Sequence, residues 1–306
     1  MFKFIDRTES VKVESLNVLI YGEPGIGKTS LGFTSEKPVM LDFDSGLARA
    51  CFRLDAVKVE RWEDVNEFLK SPEFAELQPK TLIPDTVGAM LDNFIADYVK
   101  GLDPVNKRRG GELSLQGYGA MKNVFKQFTD TTKSMKISTV FIAHSTERTE
   151  GDTIKFIPKV TGGSYDILRQ SMDMIGYIES YQNKRVIRFN PTDRNIGKDC
   201  AGIGMVNIPD VSNPKYKTFL ADLIAQTIDK MNSLSENQRE FLKQLDDYRS
   251  DIHALSTADE ANAQIKVLSD IPDKLLSRQL FEILREKAVS SNCKYNKESK
   301  LFEPCI

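Results

Sequence analysis

Histidine and cysteine are scarce in this chain of 306 residues, which has two of the first and four of the second. Cys51, Cys200, Cys293 and Cys305 form no CxxC pair, and only His144 and His253 could join them, so a zinc site has little to work with. No apolar run reaches the roughly 18 residues of a membrane helix. The opening MFKFIDRTES has no apolar stretch of the signal-peptide kind. A reducing cytoplasm without a membrane partner is the expected setting. The single tryptophan, Trp62, sits in ERWEDVNEF, where helix packing is a better expectation than stacking on a base. An excess of positive charge is missing too. The net charge of −2 argues against a purely electrostatic nucleic-acid binder. The distribution is uneven, however. Residues 100–199 hold 17 Lys/Arg and 11 Asp/Glu, a balance of +6 that leaves −8 for the remainder. A basic middle is compatible with a polyanionic partner and does not demand one.

What is present is glycine in one conspicuous place. Residues 21–30 read YGEPGIGKTS, directly after an apolar run. Gly22, Gly25 and Gly27 offer little side chain to pack, so something must approach this backbone closely. The stretch GEPGIGKT, 22–29, matches G-x-x-x-x-G-K-[ST] in full. A chance match in a chain of this length is on the order of 1%. Such a loop wraps phosphates in backbone N–H groups, and the helix starting near Lys28 directs its positive end at the anion. The expected nucleotide site is therefore Gly22, Glu23, Pro24, Gly25, Ile26, Gly27, Lys28, Thr29 and Ser30. Lys28 would neutralise the β/γ oxygens of ATP and the Thr29 hydroxyl would ligate Mg²⁺.

A triphosphatase also needs an acid at the end of a neighbouring strand. TLIPDT offers Asp85 for the Mg²⁺ shell; the alternative is an N-cap for the helix VGAMLDNF. Pro84 lacks a ladder donor, so the strand is expected to end early and displace Asp85, slowing hydrolysis. VMLDFDSGLA ends a strand with Asp42 and Asp44 on one side. Asp44 is favoured as the base that orients the attacking water, against a cap for a helix from Ser45. His144 closes the apolar strand STVFIAH, where it could sense the γ-phosphate or simply be a satisfied edge histidine. His253, in the tail, reads as a solvated helix residue.

Strands at 16–21, 37–44, the start of 80–90 and 137–144 alternate with helical patterns at 87–100 and 117–135. MDMIGYIES and KRVIRFNP read as two strands joined at Gln182-Asn183. This predicts an α/β fold with a mainly parallel sheet, its ligands at the C-terminal strand ends. Two stretches, 101–116 and 145–164, are rich in glycine and charge and are expected to be long loops. After about residue 212 glycine vanishes and four helical segments follow. The expected division is a nucleotide-binding core, 1–212, and a small helical C-terminal module, 213–306.

Taken together, GEPGIGKTS, LDFDSGLA, LIPDTVGAM, STVFIAHSTER, PKVTGGSYDILRQSMDMIGYIE and RFNPTDRNIGKD resemble the RecA-core P-loop ATPases. They are most similar to phage-encoded proteins with a minimal RecA core, some of which act in single-strand annealing. The resemblance spans roughly residues 15–205. It implies a RecA-like core, ATP and Mg²⁺ as cofactors, and the host bacterial cytoplasm as location. Lys28, Asp44 and His144 would be catalytic, and Thr29 and Asp85 would serve the metal. The two long loops would face DNA, with Lys107, Arg108 and Arg109 in the first and Arg148, Lys155 and Lys159 in the second. Arg194 and Lys198 would reach the nucleotide of a neighbouring subunit in a homo-oligomeric ring or filament. Asp at 44, where this family usually has Glu, again points to slow hydrolysis. Within the second loop, Phe156 could stack on a base.

Three functions compete. The first is an ATP-dependent binder of single-stranded DNA in recombination or annealing. The second is a nucleotide-dependent switch or loader acting on a replication or recombination protein through the helical tail, without DNA binding. The third, a small-molecule phosphotransferase, is weakest, because no arginine-rich lid is visible.

Overall fold

The computed structural model describes residues 12–49, 52 and 54–304. Cys51 and Cys305 lie outside them. The chain divides into two compact units, Val13–Met231 and a second that contains residues 232–304. No described helix is long and apolar enough to cross a membrane.

The first unit is built on strand β1 (Asn17–Gly22), whose six residues are all buried. Alternation sends Leu19 and Tyr21 into one apolar cluster and Val18 and Ile20 into the other. A strand covered on both faces belongs to a parallel sheet between two helical layers. After β1 come helix α1 (Lys28–Gly32), β2 (Pro38–Asp42), β3 (Ala56–Lys58), helices α2 (Trp62–Phe68) and α3 (Pro72–Leu77), and β4 (Thr81–Asp85). Helix α4 (Val87–Ala89) runs through a π-helical turn, Met90–Ile95, into α5 (Ala96–Leu102), and α6 (Leu115–Ser134) follows. Then come β5 (Ser138–Glu150), β6 (Thr153–Pro158), α7 (Gly162–Ser171), β7 (Met174–Tyr181), β8 (Lys184–Arg188) and β9 (Met205–Asn207). The sheet order is β3–β2–β4–β5–β1–β7–β8–β9, with β6 on the far half of β5. Pairing is parallel from β3 to β7 and antiparallel from β7 to β9. Trp62, from α2, is buried edge-on against Phe128 of α6.

Four expectations change. Pro84 does not end β4. The β4–β5 register skips Ile83 and Pro84 and resumes at Asp85 opposite Ile142, so the missing donor falls in a gap of that ladder. Asp85 therefore stays in register, facing Asp42 of β2. Residues 145–164 are not a long loop. They hold the outer half of β5, a two-residue turn at Gly151-Asp152, all of β6 and the start of α7. The 101–116 stretch is also compact: Arg108 N–H donates to Glu112 O at 2.8 Å, Gly111 N–H to Arg108 O at 2.9 Å, and Ser114 caps α6.

The domain boundary moves as well. Helix α8 (Phe219–Ala254) is continuous, and the division falls inside it, between Met231 and Asn232. Residues 213–231 belong to the first unit because Tyr216, Phe219, Leu220, Leu223 and Ile224 fill its second core cluster. The second unit carries α9 (Ala258–Ser269), α10 (Lys274–Ser290) and a hairpin of β10 (Cys293–Asn296) and β11 (Leu301–Pro304). Its core includes Leu276, Leu280 and Leu284 of α10, with Cys293 and Phe302 of the hairpin. It is thus not purely helical; four-residue strands leave too short a pattern to read.

A chain of residues 13–231 should melt cooperatively, whereas one cut at 212 should not fold. Each of the five core side chains removed by the shorter cut contributes about 1.5–3 kcal/mol, against a total stability of about 5–15 kcal/mol. Circular dichroism melts of the two truncations check this.

Candidate functional site

The loop after β1 turns through Gly25 and Gly27, at φ 79° and 92°, left-handed conformations that favour glycine. Gly27 has a second constraint. A Cβ there would stand 2.6 Å from the guanidinium of Arg185, on β8. Arg185 Nη1 donates to Ile26 O at 3.2 Å, and its guanidinium lies 5.7 Å from the centre of the Tyr216 ring. An antiparallel strand thus pins the phosphate loop from behind. Nothing in KRVIRF marks Arg185 for this task; only the sheet order brings β8 within reach.

Lys28 opens α1 and is buried. Its ammonium donates to Gly22 O at 3.0 Å and Glu23 O at 2.8 Å, back onto its own loop. Burial lowers its pKa to about 8, opposed by the charges of Asp85, Asp44 and Glu23. Thr29 Oγ1 donates to Asp85 Oδ2 at 2.6 Å. Asp85, only 3% exposed, has its pKa raised to about 6. Burial is the main cause; the Thr29 hydrogen bond and Lys28 oppose it, while Asp44 and Asp42 add to it. The helix-capping alternative for Asp85 goes to Thr86, whose side chain accepts from Ala89 N–H at 3.3 Å.

The two acids after β2 divide their work. Asp42 is buried and accepts from Gly46 N–H at 3.0 Å and Leu47 N–H at 3.4 Å, capping the short helix there. Asp44 turns to the cleft instead. Its Oδ2 stands 3.9 Å from His144 Nε2, and its Oδ1 is buried without a hydrogen-bond partner among the described residues. Lys28, Thr29, Asp44, Asp85 and His144 all line one cleft of about 600 Å³.

This donor set fits Mg-nucleotide. Mg²⁺ is commonly held by one or two protein oxygens together with phosphates, and Thr29 and Asp85 supply such oxygens beside an anion-binding loop. Among the described residues no group of three His, Cys, Asp or Glu is placed to hold a metal alone.

Residues 14–201 match the profile of a family described as AAA domain. The chain belongs to that P-loop NTPase family. The match covers more than half of the chain and all five cleft residues named above. No curated protein matches the chain significantly. As an AAA domain, the first unit is a nucleotide-binding module of an ATPase family, for which Mg²⁺ is the usual companion.

The other expected site residues scatter. Lys107, Arg108 and Arg109 are exposed on the compact turn before α6 and make no ion pair among the described residues. Arg148 is exposed on the β5–β6 hairpin, while Lys155 pairs with Glu150 at 3.6 Å. The hairpin, 145–158, has two cations, Arg148 and Lys155, against Glu147, Glu150 and Asp152. It is not a basic element. One face of the Phe156 ring is taken: it stacks on Tyr177, with centroids 5.6 Å apart and 14° between the planes. Lys159 lines the same cleft as the phosphate loop. Arg194 is exposed, and its carbonyl accepts from Phe156 N–H at 2.8 Å. Lys198 bridges to Ile175 and its ammonium donates to Met172 O, near the start of β7. That is the opposite end of the sheet from the phosphate loop, which follows the C-terminal end of the parallel strand β1.

Arg185→Ala should weaken ATP binding about tenfold with little change in melting temperature, since it removes one charge-assisted hydrogen bond on the loop's outer side. Arg185→Lys should recover only part, because a point charge cannot replace the planar fork. Calorimetric titration of both variants checks this.

Proposed function

We propose that this AAA domain binds Mg-ATP, hydrolyses it slowly, and couples the cycle to single-stranded DNA in a recombination or annealing reaction of RecA-core type. One observation carries the reading. Thr29 is bonded to Asp85, and Asp44 stands 3.9 Å from His144, all in the cleft of the phosphate loop. Those are the parts a phosphoryl transfer to water requires: a cradle, a metal shell, a base and a polar group near the terminal phosphate.

On binding, Lys28 exchanges its two loop carbonyls for β/γ oxygens, which restores it to full charge. Mg²⁺ would supply charge neutralisation of the triphosphate. Thr29 and Asp85 would hold it. Asp44, whose side chain is partly exposed in the cleft, orients a water and takes its proton. His144 donates to the terminal phosphate and lies in the same strand as the hairpin beyond it. Slow turnover rests on Asp at 44; Pro84 does not displace Asp85.

For DNA, support comes from Lys107, Arg108 and Arg109, exposed and without an ion pair among the described residues. The hairpin's acidic balance makes it a lever rather than the main phosphate grip. Within an assembly of several copies, Arg194 remains a residue to offer to a neighbour, whereas the exposed Lys198 already donates to Met172 O at the far end of the sheet from the phosphate loop. A second reading, a switch acting on a protein partner through residues 232–304, draws on the exposed Leu275 and Val289 there, 61% and 64% accessible.

Lys28→Ala should abolish detectable ATP binding in calorimetry. Asp44→Asn should keep binding and lower kcat on the order of 100-fold, as expected for loss of a general base; equal loss of binding and turnover would return Asp44 to a structural role. Single-stranded oligonucleotide should raise the ATPase rate. Removing Arg108 and Arg109 together should flatten the salt dependence of DNA binding by about 0.7 for each phosphate that is no longer neutralised. An ATPase rate indifferent to DNA, with no DNA binding at low salt, would favour the protein-partner switch.

A further inference from the structure

Lys159 follows β6, where a chain leaving a hairpin would ordinarily be free to wander. Its main chain is instead held on two sides. Its N–H donates to His144 O at 2.7 Å. Its carbonyl lies 2.7 Å from where a Cβ on Gly88 would stand, so only glycine allows this approach. Two residues on, Thr161 is fastened by Asp92 of the π-helical turn. Asp92 accepts from Thr161 N–H at 2.8 Å, Thr161 Oγ1 at 2.7 Å and Ser164 Oγ at 2.6 Å. The root of Lys159 is thereby wedged between the strand that carries His144 and the helix that begins just after Asp85.

Its side chain differs from its backbone. Lys159 is exposed, lines the nucleotide cleft, and its ammonium has no partner among the described residues. Among the described residues, Lys28 and Lys159 are the only lysines or arginines lining that cleft, across from Asp44 and Asp85. Lys28 alone faces two carboxylates there, Asp44 and Asp85. A triphosphate adds several negative charges, and one ammonium leaves them under-compensated.

We propose that Lys159 is a second ammonium ligand of the nucleotide, supplied by the same chain and directed at the terminal phosphate. Through it, the β5–β6 hairpin registers whether that phosphate is present. The inference rests on the nucleotide-binding reading of the cleft. It moves Lys159 from a DNA contact to the nucleotide. The interaction exists with ATP and has no counterpart with ADP, so it favours one nucleotide state over the other. Because the root is tied to His144, a pull on the ammonium acts at the base of the hairpin.

The test compares wild type, Lys159→Ala and Lys159→Arg by calorimetry with Mg-ATP analogue and Mg-ADP, and by DNA titration without nucleotide. Lys159→Ala should lower affinity for the ATP analogue on the order of 10- to 100-fold. ADP affinity should stay within about threefold, and arginine should restore most of the affinity. Unchanged preference for the triphosphate, or equal weakening for both nucleotides, would overturn the assignment while the nucleotide reading stands. So would an effect confined to DNA binding without nucleotide. Wild-type protein that binds neither nucleotide would sink the cleft reading and this inference together.

Discussion

The hydrogen bond from Thr29 to Asp85 is the constraint on which the site depends. The strands leading to these residues, β1 and β4, are not neighbours; β5 lies between them. The bond spans that strand and ties the end of the phosphate loop to the acid across the sheet. It requires Asp85 at the very end of β4, which the register against β2 secures: Asp42 faces Asp85, and Phe43 N–H donates to Asp85 O at 2.8 Å. It also requires a carboxyl group to be buried, and a buried carboxylate is unfavourable unless it is bonded or neutralised. The rise in the Asp85 pKa to about 6 expresses that cost. The protein accepts an unfavourable charge distribution here, one that a cation and a phosphate chain would relieve.

The same reasoning orders the neighbouring charges. Asp42 and Asp44 are two residues apart, yet one satisfies backbone N–H groups and the other lines the cleft. Had both faced the cleft, three carboxylates would have repelled one another around Asp85. Capping by Asp42 removes one of them from the chemistry. Lys28 sits among the remainder, its burial and its acidic neighbours pulling its pKa in opposite directions. Arg185 stays behind the loop, where its charge steadies Ile26 O and does not line the cleft.

How much of this was legible in the sequence follows from how local each signal is. The phosphate loop is written in eight consecutive residues because its backbone does the binding, and glycine and lysine are needed at fixed offsets. Asp85, Asp44 and His144 could be named because each ends a buried apolar run, and strand ends converge in a parallel sheet. The β5–β6 hairpin was obscured by its polar, charged strands; the Gly151-Asp152 turn between two alternating stretches was the available clue. Its acidic balance and the stacking of Phe156 on Tyr177 needed the pairing of β6 with β5 and the placement of β7. Arg185, Asp92 and the placement of Lys159 depend on interactions between elements far apart in the chain. No local pattern encodes them. The core boundary was misplaced for a related reason: α8 continues without a break, and only the burial of Tyr216 and Leu220 shows which part belongs to the core.

The cleft and the hairpin are joined at three points of different kinds. Strand β5 passes through His144 without interruption, so the histidine and the outer strand move as one. The Lys159 N–H returns to His144 O, closing the hairpin's base. Asp92 then anchors the start of α7 to the helical segment that follows Asp85. Beyond the base, residues 147–154 are all exposed. A lever fixed at its root and solvated at its tip converts a small displacement at the cleft into a larger one at the turn. Charge at that tip is mixed, so the hairpin is better built to position a partner than to attract one. Under the proposed DNA reading, attraction would fall to the separate basic turn at 107–109, leaving the hairpin to act by geometry.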